Sequence, residues 1–563
     1  MIMNKKTGAQ LLIETLINFE VEHVFTVPGA KIDKILDTFN DYPTAPKLVV
    51  MRHEQNATFV AQAIGRLAEK PGVVLATSGP GVSNLATGLV TATSENDPVL
   101  AIGGSVNRKD ALKRTHQSMN NVALMEPVTK YSAEIISADA ISEAISNAMR
   151  IATQPRMGAS FLSIPNDVQS DLTTNIALSP VVHDSFGHAD TKKIVNLAQE
   201  IASAKFPVVL LGMRAPGYAE TKAIREFLTK INLPVVQTFQ AAGIINRELE
   251  NLLFYGRVGL FKNQPGDELL DNADLVITVG FDPIEYDTEI WNKDHDKRIF
   301  HIDETIAEID NYYRPHTELV GDIHRTIRKL MEVCSPRVID IESESVLKGI
   351  KEKLNKQRDT YQEDSNLVHP LHFIQVLRNL LDDPEFSVVD DQTVMSVDIG
   401  SIYIWMARNM KVYEPKKLLF TNGMQTLGVA LPWAMGASFL HPGKKMISMS
   451  GDGGFLFSSQ EIDTAIRENL NITHFVWDDC SYNMVKFQEE IKYGRATAVE
   501  LGPIDFAAYA ESFGAKGFKV EKPSDLETVM REALSYQGVA VVWIPIDYRE
   551  NIELGKKLLD KIN

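Results

Sequence analysis

Two carboxylates, one of them set among glycines, are the side chains of this sequence that most directly predict a chemical site. Asp452 follows the apolar segment KKMISMSG, and Asp479 comes just after the apolar segment NITHFVW. Both segments are typical of parallel strands, and ligands bind beyond the carboxyl ends of such strands, so we expect the two acids to converge. Gly451, Gly453 and Gly454 would let backbone N–H groups approach an anion. Oxygen ligands beside an anion site predict Mg²⁺ bound together with a diphosphate.

A simpler interpretation of the same residues is a tight turn at GDGG and a helix-capping acid at Asp479. Gly-Asp turns are common in proteins, so this interpretation is favoured when the GDG segment is considered alone. The choice between a turn and a metal site therefore depends on the spacing between the two acids and on the elements around them.

The elements that must position these acids follow a parallel α/β pattern, in which short apolar segments alternate with longer amphipathic ones. A helix opens the chain, with Thr7 and Gln10 as a capping box. In the first part, strands are predicted at 23–27, 47–51, 73–77 and 99–102. Further strands are predicted in FPVVLLG, LPVVQTF, ADLVITVG and RIFHID, and then in TVMSVD, KKLLFT, KKMISMS, NITHFVW and VAVVWIP.

Two stretches of polar residues divide this pattern into three parts. The polar stretch 169–190 follows the first series of strands, and the charged segment 340–366 is predicted as a solvated helix and linker before the third. The predicted fold class is therefore α/β, with three doubly wound parallel-sheet domains at 1–170, 190–335 and 366–563. A length of 563 residues agrees with about three or four domains of ordinary size.

The composition excludes several classes of function. Lys and Arg number 57 against 74 Asp and Glu, a formal net charge of −17 without a basic block, which would repel nucleic acid and anionic membranes. The apolar segments have strand length and the N-terminal residues lack the apolar stretch of a signal peptide, so we expect no membrane association. Cys334 and Cys480 lie far apart without a metal-binding pattern, which favours a reducing cytoplasm.

The spacing of Asp452 and Asp479, 27 positions apart, resembles the thiamin diphosphate signature, in which GDG is followed at a similar distance by an Asn. Asp479 stands at that Asn position, which keeps an oxygen ligand and adds a charge. Five further segments resemble, in order, those of the acetohydroxyacid and acetolactate synthase family: VFTVPGAKID, RHEQNA, LATSGPGVSNL, THQSM and PRMGASFLSIPNDV. The resemblance extends over nearly the whole chain and implies a pyrimidine-binding, a central and a diphosphate-binding domain, in that order.

The resemblance also implies roles for individual residues. Glu54 would hydrogen-bond N1′ of the cofactor's aminopyrimidine, whose imino form then takes the C2 proton of the thiazolium. Gln117 would contact the substrate or its oxyanion and Gln488 the acceptor, and with Glu54 they are the predicted catalytic residues. The predicted Mg²⁺ ligands are Asp452, Asp479 and the backbone carbonyl of Ser481. The residues expected at the cofactor are Val27, Pro28, Gly29, Glu54, Pro80, Asn84, Gly400, Ser401, Leu427, Gly451, Asp452, Gly453, Gly454, Asp479, Ser481, Tyr482, Asn483 and Met484.

Several of these residues also have a purely structural interpretation. Glu54 could be an N-cap or a first-turn acid, and Leu427, predicted to hold the bent cofactor as a hydrophobic wedge, could be one more core residue. Gly400 and Asn483 could mark a turn and a helix start. Cys480, beside the metal site, is predicted to be a small packed side chain, because no His–acid partner is implied.

Departures from the family pattern favour its catabolic branch. The biosynthetic enzymes carry FAD and a Trp that favours 2-oxobutyrate, and that Trp position is Gln488 here. The segment 254–269 differs from the small-residue flavin loop, with Tyr255 and Phe261 adding bulk. Both departures, together with NGMQTLGVALPWAMGA, predict that no FAD is bound. Asn166 replaces the usual Lys near the end of the first domain, and no role for it is implied.

The implied reaction condenses two pyruvate molecules to 2-acetolactate, with release of CO₂ through a hydroxyethyl carbanion on thiamin diphosphate, in the acetoin and butanediol fermentation route. The family pairs two chains so that Glu54 of one meets the diphosphate domain of the other, which implies a homodimer or homotetramer. Three other enzymes stay open: an FAD-containing biosynthetic synthase, a pyruvate oxidase and a simple 2-oxoacid decarboxylase. Glu54 together with Asp452 and Asp479 disfavours a non-catalytic nucleotide-binding protein.

Overall fold

Three parallel β-sheets, one after another along the chain, form the framework of the molecule. The computed structural model describes residues 5–181, 186–359, 361 and 366–555. These residues form three six-stranded sheets and one two-stranded sheet. We name the parts of the chain around the six-stranded sheets the first, middle and third unit.

The first unit runs from β1 to β8. Its strands are β1 (Lys6–Thr7), β2 (His23–Val27), β3 (Lys47–Val50), β4 (Gly72–Ala76), β5 (Val99–Ser105), β6 (Tyr131–Glu134), β7 (Ala159–Pro165) and β8 (Leu172–Thr173). Its α-helices are α1 (Gly8–Asn18), α2 (Asp33–Thr38), α3 (Glu54–Ala68), α4 (Pro80–Ser94), α5 (Asn121–Met125) and α6 (Ile141–Thr153). The sheet has the order β3-β2-β4-β5-β7-β6, and all its neighbouring strands are parallel. The short antiparallel pair β1–β8 ties residues 172–173 to the start of this unit.

The middle unit follows with six more strands. Its helices are α7 (Thr191–Ser203), α8 (Tyr218–Ile231), α9 (Arg247–Leu252), α10 (Pro265–Asn272), α11 (Thr288–Asn292) and α12 (Ile323–Val333). Its strands are β9 (Pro207–Leu211), β10 (Val235–Thr238), β11 (Phe254–Val258), β12 (Leu275–Val279), β13 (Arg298–Asp303) and β14 (Thr317–Val320). The sheet is parallel, with the order β11-β10-β9-β12-β13-β14. Helix α13 (Ile341–Asp359) leads to the third unit.

The third unit again has six parallel strands, in the order β16-β15-β17-β18-β20-β19. These strands are β15 (Met395–Val397), β16 (Leu418–Leu419), β17 (Met446–Gly451), β18 (Ile472–Asp478), β19 (Lys516–Lys519) and β20 (Val539–Pro545). Its helices are α14 (Pro370–Asp382), α15 (Ser401–Asn409), α16 (Ala430–Leu440), α17 (Asp452–Phe455), α18 (Glu461–Arg467), α19 (Asn483–Tyr493), α20 (Phe506–Ser512), α21 (Leu526–Ser535) and α22 (Asn551–Gly555). Short 3₁₀ helices lie at Phe39–Asp41, Arg108–Asp110, Glu126–Val128, Ala138–Ala140 and Pro523–Asp525.

The first and third sheets share one topology. When the strands of each sheet are numbered along the chain, both have the order 2-1-3-4-6-5, whereas the middle sheet has 3-2-1-4-5-6, the order of dinucleotide-binding folds. The chain reverses its direction of growth across the sheet between β2 and β4, between β15 and β17, and between β9 and β12. Crevices at such switch points, beyond the carboxyl ends of the strands, are where ligands bind in open α/β sheets.

The first and third units share a continuous hydrophobic core. Helix α3 packs against α16, and one cluster of buried side chains extends from Phe25 and Phe59 to Trp433 and Phe455. The guanidinium of Arg66 stacks on the Trp433 ring at 4.5 Å from its centroid. Helix α3 is therefore held against the third unit. None of the helices within the described ranges has the length and hydropathy needed to span a bilayer.

The structure confirms the predicted fold class of three parallel-sheet α/β units. The capping box of Thr7 and Gln10 at the start of α1 is also confirmed. The helix predicted within 340–366 is α13, and residues 360 and 362–365 of that segment lie outside the described residues, as do 182–185 of the first polar stretch.

Candidate active site

The predicted site residues gather at two of the three switch points. In the third unit, Gly400 and Ser401 follow β15, and Asp452 follows β17. In the first unit, Pro28 follows β2 and Pro80 follows β4. Because these strand pairs occupy equivalent places in two sheets of the same topology, the chain has two equivalent crevices, one at each unit.

Asp452 lies at the carboxyl end of β17 and is only 4% exposed. Its Oδ1 accepts a hydrogen bond from the Gly453 N–H at 2.8 Å, whereas its Oδ2 is buried without a hydrogen-bond partner in the part of the chain that the structure describes. Burial raises the pKa of Asp452 to about 8, and the charges of Asp479 and Asp478 contribute to this rise. A cation would stabilise such a carboxylate, because it would replace the missing donor and offset the neighbouring charges.

Asp479 follows β18, the strand next to β17, so the two acids lie at the same edge of the sheet, as predicted. Its Oδ2 accepts hydrogen bonds from Ser481 Oγ and Asn483 Nδ2, both at 2.6 Å. Burial raises the pKa of Asp479, and these two hydrogen bonds oppose the rise. Cys480 has a φ of 54°, which turns the chain sharply behind Asp479. The Ser481 carbonyl accepts the Asn483 N–H at 2.8 Å and keeps a second lone pair for a metal ion.

The residues present fit Mg²⁺ bound by two carboxylates and a backbone carbonyl. Among the described residues, no group of three His, Cys, Asp or Glu side chains could hold a metal ion by itself. Mg²⁺ does not need such a group, because it usually keeps several waters and binds one or two carboxylates together with phosphate oxygens.

A chain of hydrogen bonds joins the loop of residues 479–482 and the start of α19 to α15. Asn483 Oδ1 accepts from Ser401 Oγ at 2.9 Å and from Asn551 Nδ2 at 2.6 Å. Asn551 Oδ1 in turn accepts from Trp405 Nε1 at 2.7 Å. Gly400, just before α15, has a φ of 137°, and no atom lies within 4 Å of the position that a Cβ would take. The N-terminus of α15 is thus open to an anion at this switch point.

Close packing explains two of the glycines after β17. A Cβ on Gly453 would lie 2.5 Å from Cε1 of the Tyr482 ring, and a Cβ on Gly454 would lie 3.1 Å from Oδ2 of Asp398. A Cβ on Gly451 would lie 3.9 Å from the Trp477 carbonyl oxygen, an ordinary contact distance. Met484, on the first turn of α19, packs against the core of the third unit. The backbone of the GDGG segment therefore lies deep in the crevice, as an anion site requires.

Asp398 is not among the residues predicted above, yet it holds the segment that carries Leu427. Asp398 is 1% exposed and accepts the Gly428 N–H at 2.9 and 3.0 Å. Burial raises the pKa of Asp398 to about 7. Leu427, directly before Gly428, is partly exposed and so is not fully buried in the core. The sequence could have indicated Asp398, because it is the last residue of the predicted strand TVMSVD, and the two predicted metal ligands also lie at strand ends.

Glu95 holds the same segment from the first unit. It lies directly after α4 and is 3% exposed. Its Oε1 accepts from Thr421 Oγ1 and the Asn422 N–H, both at 2.9 Å, and from the Gly423 N–H at 2.8 Å. These partners lie more than 300 positions away in the sequence, so no local pattern could have indicated this contact.

Glu54 is the first residue of α3 and is 8% exposed. The N-cap is His53, whose Nδ1 accepts the Gln55 N–H at 3.1 Å, so Glu54 is a first-turn acid rather than the cap. Glu54 Oε2 accepts a hydrogen bond from Asn84 Nδ2 at 2.9 Å, and a Cβ on Gly81 would lie 3.3 Å from Oε1. The carboxylate is thus oriented by α4, at the switch point of the first sheet.

Thr77, at the end of β4, packs under the loops of this crevice. A Cβ on Gly29 would lie 2.5 Å from Thr77 Cβ, and a Cβ on Gly81 would lie 2.9 Å from Thr77 Cγ2. Val27 is half-buried, while Pro28 and Pro80 are exposed at the rim. The loop after β2 and the start of α4 therefore approach closely, which brings the predicted cofactor residues of the first unit together.

The two predicted glutamines lie at different units. Gln117, with a φ of 59°, accepts a hydrogen bond from Ser78 Oγ at 3.0 Å, which places it beside the Gly79–Pro80 turn near Glu54. Gln488 lies on α19 and is partly exposed. Because α19 begins four positions after Asp479, Gln488 lies on the side of the third-unit crevice.

Comparison with known proteins agrees with this arrangement of units. Residues 6–124 match the N-terminal TPP binding domain of thiamine pyrophosphate enzymes, 194–330 match their central domain, and 398–544 match their C-terminal TPP binding domain. Thiamine pyrophosphate is another name for thiamin diphosphate. Each of the three matches falls on one of the three sheets.

Individual relatives match over almost their whole length. The chain is 47% identical to an acetolactate synthase of Bacillus subtilis (strain 168) over 558 residues, which cover 99% of this chain and 96% of the relative. It is 42% identical to a catabolic acetolactate synthase of Raoultella terrigena over 546 residues, covering 97% and 96%. It is 26% identical to the large subunit of acetolactate synthase isozyme 1 of Escherichia coli (strain K12), covering 97% and 95%. The chain therefore belongs to the acetolactate synthase family of thiamine pyrophosphate-dependent enzymes.

Proposed function

We propose that this enzyme condenses two pyruvate molecules to 2-acetolactate with release of CO₂, in the acetoin and butanediol fermentation route. The observation that carries the proposal is the buried Oδ2 of Asp452, which has no hydrogen-bond partner among the described residues and lies beside Asp479 at a strand-end crevice. The names of the relatives that are 47% and 42% identical, acetolactate synthase and its catabolic form, support the same reaction. The domain bounds 1–170, 190–335 and 366–563 and a cytoplasmic location are part of this proposal.

In this proposal the third unit holds the diphosphate. The carboxylates of Asp452 and Asp479 and the carbonyl of Ser481 hold Mg²⁺, which neutralises phosphate oxygens. The predicted donors around the diphosphate are the backbone or side chains of Gly400, Ser401, Gly453, Gly454, Tyr482, Asn483 and Met484. The open N-terminus of α15 and the close-packed GDGG backbone support this assignment.

The first unit supplies the proton chemistry. When bound, thiamin diphosphate supplies a carbon nucleophile and an electron sink for decarboxylation. Glu54, oriented by Asn84, holds and exchanges a proton at N1′ of the aminopyrimidine. Leu427 supports the bent cofactor, and the Asp398 bond to Gly428 keeps that residue in place. Gln117 and Gln488 orient the donor and acceptor pyruvate by hydrogen bonds.

A second copy of the chain completes the site in this proposal. The third-unit crevice is flanked by exposed apolar side chains, of which Met424 is 46%, Leu456 41% and Phe457 45% exposed. Leu112 and Met119, near Gln117, are also exposed. Such apolar surface around a polar crevice is typical of a protein interface, and supports a homodimer or homotetramer in which Glu54 of one copy meets the third unit of the other.

The switch point of the middle sheet supports an enzyme without FAD. There Glu285, 3% exposed, accepts the Met213 N–H at 2.8 Å and the Thr238 hydroxyl at 2.5 Å. A dinucleotide diphosphate would need backbone N–H donors at this place, after the first strand of the unit. The Glu285 side chain already occupies the Met213 N–H and so competes with a diphosphate for this donor. Arg214 pairs with Asp282 at 2.6 Å and is likewise engaged within the protein.

We expect the purified protein to be colourless and its activity to be unchanged by added FAD. The measurement is the visible spectrum of the protein at known concentration, together with assays before and after incubation with FAD. A stoichiometric flavin absorbance would favour a biosynthetic synthase or a pyruvate oxidase, and would contradict this part of the proposal.

The buried Glu285 carboxyl should also make the free energy of unfolding depend on pH. Burial raises its pKa from 4.5 to about 8. The folded state then retains a proton that the unfolded state loses above about pH 4.5, so the free energy of unfolding falls by up to about 1.4 kcal/mol per pH unit until pH 8. Glu285→Gln should therefore lose less stability than the wild type between pH 5.5 and 7.5. Thermal melts of both proteins measure this difference, and parallel pH profiles would contradict it.

The function itself is tested by the products formed from pyruvate with thiamin diphosphate and Mg²⁺. We expect 2-acetolactate and CO₂ in a ratio of one to one. Acetaldehyde in place of acetolactate would identify a simple 2-oxoacid decarboxylase, and oxygen consumption with a flavin spectrum would identify a pyruvate oxidase. Either result would overturn the proposed reaction while leaving the assignment of thiamin diphosphate and Mg²⁺ intact.

A further inference from the structure

A fully buried acid of the third unit reaches into the first unit just before Glu54. Glu461 is the first residue of α18 and lies nine positions after Asp452. Its side chain is 0% exposed. It has no part in the reaction as described so far, and three of its hydrogen-bond partners are more than 400 positions away in the sequence.

The contacts of Glu461 are made to the end of β3 and the start of α3. Its Oε1 accepts hydrogen bonds from the backbone N–H groups of Arg52 and His53 and from Asn56 Nδ2, each at 3.1 Å. Its Oε2 accepts from Thr464 Oγ1 at 2.8 Å. Every donor that the described residues supply is an amide or a hydroxyl, and none is a cationic side chain.

Keeping an acid in this place costs free energy that a neutral residue would not cost. Burial raises the pKa of Glu461, and its hydrogen bonds oppose the rise. A carboxylate can accept several N–H groups at once, whereas a Gln side chain would turn a donor towards some of them. The Glu461 carboxylate therefore presents only hydrogen-bond acceptors to the donors of Arg52, His53 and Asn56.

The backbone that Glu461 holds determines the position of Glu54. Arg52 and His53 immediately precede Glu54, and His53 is the N-cap of α3. When the N–H groups of both residues are fixed, the direction in which α3 starts is fixed, and with it the Cα of Glu54. A displacement of a reacting group by about 1 Å can lower a rate on the order of 100-fold.

We propose that Glu461 is a positioning residue for Glu54: its carboxylate, anchored in the third unit, fixes the backbone of residues 52–53 and thereby the reach of the Glu54 carboxylate to the cofactor. This inference rests on the proposed function, in which Glu54 exchanges a proton with the aminopyrimidine. In this proposal α18, which follows the GDGG segment in the third unit, also acts on the first-unit crevice of the same chain.

The test compares Glu461→Gln with Asp463→Asn. Asp463, two positions further on α18, accepts a hydrogen bond from the Arg52 side chain at Nε, 2.8 Å away, in an exposed ion pair. The control thus removes a contact to Arg52 while leaving the backbone anchor intact. Exposed ion pairs contribute little to stability, so the control should behave like the wild type.

Three measurements are made on each protein: C2–H exchange of bound thiamin diphosphate, the affinity for thiamin diphosphate and Mg²⁺, and amide hydrogen exchange of the peptide around 51–57 in the cofactor-free protein. For Glu461→Gln we expect C2–H exchange to fall roughly tenfold to 100-fold. The cofactor affinity should change much less, and amide exchange at residues 52–53 should become roughly tenfold faster. Asp463→Asn should leave all three near the wild-type values.

A lower melting temperature of Glu461→Gln with unchanged C2–H exchange would show that Glu461 only stabilises the fold, and would overturn the proposal. If Gln prevents folding, Glu461→Asp keeps the charge and shortens the reach, and its C2–H exchange should still fall below that of Asp463→Asn. If the wild type itself shows no C2–H exchange, the proposed function fails, whereas the amide exchange of the cofactor-free protein still reports whether Glu461 holds residues 52–53.

Discussion

Glu54→Gln should lower C2–H exchange of bound thiamin diphosphate and acetolactate formation by on the order of 100-fold or more, the usual scale for acid–base groups. Gln is isosteric and can still accept the hydrogen bond from Asn84, which is 2.9 Å long in the wild type, but it cannot exchange a proton. Binding of the cofactor should weaken much less, because the diphosphate keeps Asp452, Asp479 and Mg²⁺. C2 deuterium exchange, recorded for wild type and variant beside thermal melts, measures the effect.

His53→Ala separates this catalytic role from a structural one. His53 caps α3 through its Nδ1, so its loss should cost about 0.5–2 kcal/mol of stability. The Glu54 carboxylate is unchanged in this variant, and C2–H exchange should stay within a few-fold of the wild type. If Glu54→Gln and His53→Ala both lower the melting temperature and both leave C2–H exchange unchanged, then Glu54 is only a first-turn acid.

Most interior strands of the three sheets could be predicted from the sequence because they are apolar on both faces. Most strands that were not predicted lie at sheet edges, namely β6, β11, β14 and β19. β19, for example, is half-buried to exposed along its length and carries two lysines, so it lacks an apolar run. β7 is an interior strand that was also not predicted, because Ala and Ser interrupt its apolar residues. Strand order depends on distant contacts, so the shared topology of the first and third sheets was not readable from local patterns.

The site residues likewise divide into those that local patterns in the sequence indicate and those that depend on distant contacts. The approach of Asp452 and Asp479 could be predicted, because acids at the ends of neighbouring parallel strands share one edge of the sheet. Glu54 was found through its resemblance to a family segment, since a first-turn acid is common on local grounds. Glu95 and Glu461 act on partners in another unit, and nothing near them in the sequence indicates this. Long-range anchors of this kind need the folded structure to be recognised.

The metal site leads to the second large effect, which is expected for Asp452→Asn. The affinity for Mg²⁺ and thiamin diphosphate should fall by on the order of 100-fold or more, and activity at ordinary cofactor concentrations should be abolished. The fold should remain, because the change removes a charge from a crevice and opens no cavity in the core. The cofactor-free variant should melt no lower than the cofactor-free wild type, since the raised pKa of Asp452 means that burying this acid costs free energy at neutral pH, a cost that Asn does not carry. Titration with Mg²⁺ and thiamin diphosphate, followed by thermal melts, measures both effects.

Asp478→Asn is the matched control for this prediction. Asp478 is a neighbouring acid whose carboxylate accepts the Cys480 N–H at 3.0 Å and Trp543 Nε1 at 2.7 Å, so it is already used within the protein. Its replacement should cost some stability, because an amide matches these donors less well, but Mg²⁺ should still raise the melting temperature. Removing the metal with a chelator should abolish activity in the wild type and in Asp478→Asn alike. Full activity of Asp452→Asn, or of the wild type after exhaustive dialysis against metal-free buffer without thiamin diphosphate, would show that the unpartnered Asp452 oxygen is not a metal ligand.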